Sequence, residues 1–166
     1  MKVKIKRLTK SAVIPKYALM GDAGQDLVAI SKHFDEYGNV HYGTGLAFKI
    51  PENHVGLLFP RSSNAKKDLI LSNSIGVLDS NYTGEVSFKF KPSVAFYNDV
   101  VTDVSGNIAK TVVTPIFENN LVLQDYNIGD RIGQIIIMPI PHIEFEEVDE
   151  LEQTNRNDGS YGSTGK

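Results

Sequence analysis

The sequence predicts an all-β domain, a sandwich or a barrel, carrying one short helix. Three observations point there. Apolar side chains recur at every second position in several short runs, the period of a half-buried strand. Those runs stop at proline or at clusters of glycine, asparagine and aspartate, which break strands and make turns. Only one stretch, residues 60–69, reads as helical. Many short strands separated by turns define a sheet-on-sheet or closed architecture. The 166 residues suffice for one domain with a real core. Neither an internal repeat nor a second domain is visible. The expected division is a single β domain over residues 1–151, with an inserted hairpin at about 92–118, and a flexible tail over 152–166.

In chain order, Val3 and Ile5 share one face of a first strand and lysines the other. A loop around Pro15 leads to the glycine-bounded Gly21-Asp-Ala-Gly-Gln-Asp-Leu-Val-Ala29. Leu46, Phe48 and Ile50 alternate up to Pro51, and Val55, Leu57 and Phe59 up to Pro60. Pro60-Arg-Ser-Ser-Asn-Ala-Lys-Lys-Asp-Leu69 is the helical segment, a turn or two long, with serines suited to N-capping. Two short strand-like pieces flank Gly76 and suggest a hairpin. Val86, Phe88 and Phe90 then alternate with Ser87, Lys89 and Lys91. Asp103-Val-Ser-Gly-Asn107 reads as the turn of the inserted hairpin, with arms Phe96–Val101 and Ile108–Val113. Ile128–Met138 contains a buried strand, and Ile143, Phe145 and Val148 form the last one. From Glu152 onward apolar periodicity ceases.

Composition excludes several classes of function. A net charge of −3 gives no basic footprint, so direct nucleic-acid binding is not expected, although a few local cations suffice for a small anion. No apolar run reaches membrane-spanning length, and Met1-Lys-Val-Lys-Ile-Lys-Arg7 alternates charge where a signal peptide is continuously apolar. The absence of cysteine removes disulfides, thiolate nucleophiles and Cys-based zinc sites, with the cytoplasm as default compartment. His33, His41, His54 and His142 lack paired ligand spacing and read as surface or loop residues.

The chemistry is expected in Asn73-Ser-Ile-Gly-Val-Leu-Asp-Ser-Asn-Tyr-Thr-Gly-Glu85. Gly76 lets a backbone approach something flat, and Asp79 is a lone carboxylate at a strand end beside a loop. The same residues also suit a plain β-turn whose aspartate caps its own backbone. Arg61, Ser62 and Ser63 at a helix start make an anion site from free N–H groups, hydroxyls and a charged fork. An ordinary serine cap beside an exposed arginine is the other reading. Asp26 suits a hard cation, directly or through water, or a turn. Gln134 can donate to an oxygen or simply face solvent. In the tail, Arg156 and Tyr161 among glycines suit folding over a ligand, the aromatic stacking and the arginine pairing with phosphate; a disordered end is the alternative. The terminal Gly-Lys is not a P-loop, because Ser160 holds the place of its first glycine and no helix can follow.

Together these stretches resemble the five ordered motifs of the trimeric dUTP diphosphatases. Asp22-Ala-Gly-Gln-Asp-Leu27 is similar to the first and Pro60-Arg-Ser-Ser-Asn-Ala65 to the second. Asn73 through Glu85 is similar to the third, Gly129-Asp-Arg-Ile-Gly-Gln134 to the fourth, and Arg156 through Gly165 to the fifth. In the fifth, Asn157 and Ser160 stand at common glycine positions and Tyr161 replaces the usual phenylalanine. The segment between the third and fourth is longer than the family's usual one.

The resemblance implies a distorted β jelly-roll, a homotrimer with sites shared between subunits, and Mg²⁺-dependent hydrolysis of dUTP to dUMP and pyrophosphate. It implies that Asp79 activates the water attacking the α-phosphorus and that Asp26 holds Mg²⁺ through water. Arg61, Ser62, Ser63, Gln134 and Arg156, with Gly162 and Ser163 of the tail, would bind phosphate. Asn73 and the backbone near Gly76 would read uracil, Tyr82 would lie under the deoxyribose, and Tyr161 would stack on the base. Such an enzyme would work in the cytoplasm, or in that of a host cell if viral. Two alternatives share the fold: a dCTP deaminase or its bifunctional relative, and a regulatory protein without turnover.

Overall fold

The computed structural model describes residues 1–93, 96–102, 108–115, 123–155 and 157, with only the backbone described for 96–102 and 108–115. It is a two-sheet β structure. One sheet runs in the order β1 (Lys4–Arg7), β4 (Val40–Lys49), β8 (Glu85–Pro92), β6 (Leu69–Leu71), with β3 (Ser31–Phe34) also paired to β4. The long β4 takes β1 along its C-terminal half and β3 along its N-terminal half. The second sheet runs β2 (Gln25–Val28), β11 (Arg131–Pro139), β5 (His54–Phe59), β7 (Gly76–Leu78). A separate antiparallel pair, β9 (Phe96–Thr102) and β10 (Ile108–Pro115), makes the ribbon between the third and fourth motifs.

Alternation decides which face each strand buries. On β8, Val86, Phe88 and Phe90 point inward and are at most 1% exposed, while Glu85, Lys89 and Lys91 point out. They meet Leu27, Leu58, Ile132 and Ile135 from the opposite sheet in one hydrophobic core. Where β4 and β8 slip register between Gly43 and Ala47, the extra residues are satisfied locally. The enclosed Thr44 hydroxyl donates to Val86 O at 2.5 Å, and Glu85 Oε1 accepts from Gly45 N at 2.8 Å. Buried polar atoms left without such partners would cost free energy, so the bulge carries its own compensation.

Four sequence expectations are corrected. The helix is a short 3-10 turn, Ser62–Lys66, whose N-cap is Arg61, not a serine, and which has no side-chain cap bond. The alternation proposed for β5 has the wrong parity: Leu58 enters the core, whereas Leu57 and Phe59 are half-buried on the other face. Adjacent Leu57 and Leu58 make both parities apolar, so only the opposing sheet could choose. The stretch Ile143 to Val148 is not a strand; it pairs with no strand among the described residues, and Ile143 is 62% and Phe145 96% exposed. Finally, the pieces around Gly76 are not a hairpin. β6 pairs with β8 in one sheet and β7 with β5 in the other, so residues 72–75 cross between sheets.

Candidate active site

The crossover builds the first half of the site. Ser72 N still donates to Lys89 O at 2.9 Å, as the last bond of the β6 ladder. Ser74 then takes φ of +61°, and Ile75 N turns back onto Asn73 O at 2.6 Å. A left-handed serine costs energy that the surrounding fold must offset, and such strain gathers at functional loops. The crossover delivers Gly76 against Leu58, where a Cβ would lie 2.9 Å from the Leu58 Cβ. Packing of β7 on β5 by itself requires glycine at this position.

Asp79 follows directly after β7, with an exposed side chain. Its carbonyl accepts from Tyr82 N at 3.1 Å, closing a turn, and Lys49 Nζ holds the next carbonyl, Ser80 O, at 3.0 Å. The Tyr82 hydroxyl donates to Glu85 O at 2.9 Å, which lays the ring over Gly84 so closely that a Cβ there would meet the phenol carbon at 2.7 Å. Asn73, Gly76, Asp79 and Tyr82 all line one cavity of about 200 Å³, with Glu85 and Ser87 on its wall. The residues singled out in the third motif are thus brought together.

The second half lies at the start of the 3-10 turn. Arg61 Nε donates to Asp26 Oδ1 at 2.8 Å and its Nη1 to Ser63 Oγ at 3.3 Å, while Arg131 Nη1 reaches Asp26 Oδ2 at 3.1 Å. Asp26 and Gln134 are cross-strand partners of β2 and β11, and Gln134 Nε2 donates to Pro60 O at 3.3 Å. Asp26 uses only Nε of the Arg61 fork, so Nη donors remain for an anion. Ser62 is exposed beside them. A chain of hydrogen bonds fixes this turn to the core. Tyr42 Oη donates to Tyr126 O at 3.0 Å, Tyr126 Oη donates to Asn64 Oδ1 at 3.0 Å, and Asn64 Nδ2 donates to Leu69 O at 2.8 Å. Burial pushes both phenols above their ordinary range, so they act as permanent donors.

Among the described residues, no hydrogen bond or ion pair joins Arg61, Ser63 and Gln134 to the cavity of Asp79 and Tyr82. Arg156, Tyr161, Gly162 and Ser163 lie outside the described residues. Sequence reasoning missed Arg131 as a partner of Asp26. Its place in the fourth motif, opposite the strand of the first, was the available signal. It also missed Lys49 and Glu85, whose roles depend on pairing across sheets.

Two guanidinium groups around Asp26, and a small cavity lined by Asp79, unpaired among the described residues, are features that an enzyme acting on a phosphate ester can use. The family model described as dUTPase matches residues 10–127 and 122–165. A deoxyuridine 5'-triphosphate nucleotidohydrolase of Corynebacterium glutamicum is 36% identical, over 99% of this chain and 95% of that protein. A mutant dUTPase of Staphylococcus bacteriophage 80alpha, solved with dUpNHpp, superposes with a TM-score of 0.72 at 27% identity, over 99% of this chain and 98% of that one. A mutant dUTPase of phage phi11 of S. aureus, described for its coordination of a structural Mg(II) ion, matches with a TM-score of 0.66 at 26% identity, over 92% and 100%. The chain belongs to the dUTPase family. It is an enzyme that acts on a nucleotide, hydrolysing dUTP.

Proposed function

We propose that hydrolysis proceeds by attack of water at the α-phosphorus, giving dUMP and pyrophosphate, with Asp79 as the general base. The observation that carries this reading is the single cavity lined by Asn73, Gly76, Asp79 and Tyr82. Asp79 enters it with no ion pair among the described residues, so its carboxylate is free to orient a water and accept its proton. Asp26 cannot do this, because both its oxygens face guanidinium groups. Asn73 and the crossover backbone read the uracil edge, where cytosine would leave buried groups unpaired. Tyr82 packs under the deoxyribose.

Arg61, Ser62, Ser63 and Gln134 bind phosphate oxygens, joined by Arg156, Gly162 and Ser163 of the tail, with Tyr161 stacked on the base. Asp26 would hold Mg²⁺ through water, since Oδ1 and Oδ2 each accept one N–H and keep a lone pair. When bound, the ion neutralises charge on the triphosphate.

The assembly we propose is a homotrimer in which the crossover cavity of one chain faces the phosphate cluster of another. Two features support it besides family membership. Val77, Leu57 and Ile136 are registered neighbours on the face of their sheet opposite the core, and Val77 is 62% exposed. Beyond β11, Ile143, Phe145 and Leu151 lie exposed along an arm that is uncovered among the described residues. The enzyme would limit uracil incorporation into DNA and supply dUMP for dTMP synthesis in the cytoplasm, or in a host's cytoplasm if viral. Among the described residues, no helix is long and apolar enough to cross a membrane.

Pyrophosphate release measured across dUTP, dCTP, dTTP and UTP tests the reading, with ammonia followed for dCTP. Turnover confined to dUTP is expected. Ammonia from dCTP would move the chain to the deaminases, and orthophosphate in place of pyrophosphate would overturn attack at the α-phosphorus.

A further inference from the structure

The 3-10 turn that carries the anion donors buries none of its residues and has no side-chain cap bond. So short a turn has little stability of its own, and its geometry is set by what holds it from outside. On one side Asp26 holds Arg61. On the other, the turn and the two residues after it lean on segment 123–126. Tyr126 Oη donates to Asn64 Oδ1 at 3.0 Å, and Lys67 Nζ donates to Asp125 O at 2.6 Å. Asp68 N donates to Gln124 O at 2.8 Å, and Asp68 Oδ2 accepts from Gln124 N at 2.8 Å. Asp68 O also accepts from Ser93 N at 2.8 Å, so the residues flanking the β9–β10 ribbon meet at the foot of the anion turn.

Tyr126 is the rigid member of this segment. It is 3% exposed, its N–H donates to Tyr42 Oη at 3.1 Å, and its carbonyl accepts from the same hydroxyl at 3.0 Å. Its ring lies 5.7 Å from that of Phe90 and 6.0 Å from that of Tyr42, centroid to centroid. We propose that Tyr126 is a positioning residue for phosphate binding, its hydroxyl holding the turn through the Asn64 amide so that Arg61, Ser62 and Ser63 converge on the phosphate. This rests on the assignment of those three residues to phosphate. No sequence pattern marked Tyr126, whose partner Asn64 is 62 residues away.

The amide of Asn64 is bonded at both ends, since its Nδ2 donates to Leu69 O at 2.8 Å. Its backbone N donates to Arg61 O at 2.9 Å, so a shift of Asn64 moves the chain that carries Arg61. Without the hydroxyl, Asn64 Oδ1 loses its partner and turns to water, taking the turn with it. Burial raises the pKa of the Tyr126 phenol most, and Arg61 and then Ser63 act against it, an influence that needs both to lie near the hydroxyl. Neither Tyr126 nor Asn64 lines the crossover cavity, so recognition of base and sugar should not feel the loss of this brace.

The test compares two inhibitors of dUTP hydrolysis by the intact protein: dUpNHpp, with a full triphosphate chain, and dUMP, with a single phosphate. Tyr126→Phe keeps the ring and removes the hydroxyl. It should weaken dUpNHpp about 10-fold, in the range for a lost buried hydrogen bond, and raise KM for dUTP by a similar factor, while inhibition by dUMP stays nearly unchanged. Asn64→Ala should do the same, and combining the two should add little, because both break one connection. Unchanged dUpNHpp affinity in a folded Tyr126→Phe protein overturns the inference. An equal loss for dUMP also overturns it, since that marks general loosening, as does full additivity of the two substitutions. If Tyr126→Phe does not fold, Asn64→Ala, at a half-buried residue outside the core, decides by the same comparison. An affinity for dUpNHpp indifferent to Arg61→Ala would instead refute the phosphate assignment beneath it.

Discussion

The two carboxylates of the site are placed by opposite means. Asp26 is clamped: Arg61 and Arg131 hold one oxygen each, at 2.8 and 3.1 Å, and its side chain is about a quarter exposed. Asp79 is exposed and carries no ion pair among the described residues; it is aimed by its backbone, through the turn to Tyr82 and the Lys49 tether on Ser80. A carboxylate between two cations is an electrostatic fixture that orients arginines. One left unpaired at a strand end can still take a proton. In the proposed mechanism, chemistry falls at the Asp79 end of the site and anion binding at the Asp26 end.

The widest test of that contrast is Asp79→Asn. It should lower kcat by roughly 10²- to 10⁴-fold while leaving dUTP affinity nearly intact, as titration calorimetry and pyrophosphate release would show together. Equal losses in both would make Asp79 structural and erase the distinction. At the other end, Arg61→Ala removes a charged hydrogen-bond donor of about 1.5–3 kcal/mol. That is a loss of roughly 10- to 150-fold in kcat/KM. A variant that bound dUTP normally but melted much lower would mean that Arg61 serves only the Asp26 clamp.

Whether the two ends meet across subunits can be read from mixed trimers of Asp79→Asn chains and chains truncated after Gln153. A working site takes its crossover from the truncated chain and its tail from the full-length one. With equal amounts, about one half times one half, or roughly a quarter of sites, should recover. Recovery no better than the parents after confirmed mixing would place cavity and tail of one chain in the same site.

A smaller effect is expected at the sugar. Gly84→Ala puts a methyl where the Tyr82 ring lies, with its phenol carbon 2.7 Å from the new Cβ, so the ring must swing away. Preference for dUTP over UTP should fall by about 10-fold, within the range for a lost steric contact. Undiminished discrimination would separate Tyr82 from the deoxyribose.

Much of this was legible beforehand, for reasons that differ by element. The inward residues of β8 are written in strict alternation, and a period-2 pattern has a single way to bury itself against a core. Motif order was also legible: Arg61 and Asp79 each follow closely on a strand, Asp26 lies two residues after Gly24, and Gln134 follows Gly133. The 3-10 turn was misread at its cap, because serine's preference for that position yields when Arg61 is drawn out to Asp26.

What the chain by itself determined is the set of strands, the turns between them and the inventory of polar groups at their ends. Local sterics and hydrophobic periodicity act over a few residues and need no partner. Only the tertiary structure decided that β6 and β7 lie in different sheets, that Leu58 rather than Leu57 enters the core, and that Arg131 shares Asp26 with Arg61. Each depends on which strand lies alongside or opposite, a choice made by the packing of residues far apart in sequence, and no local pattern carries that information.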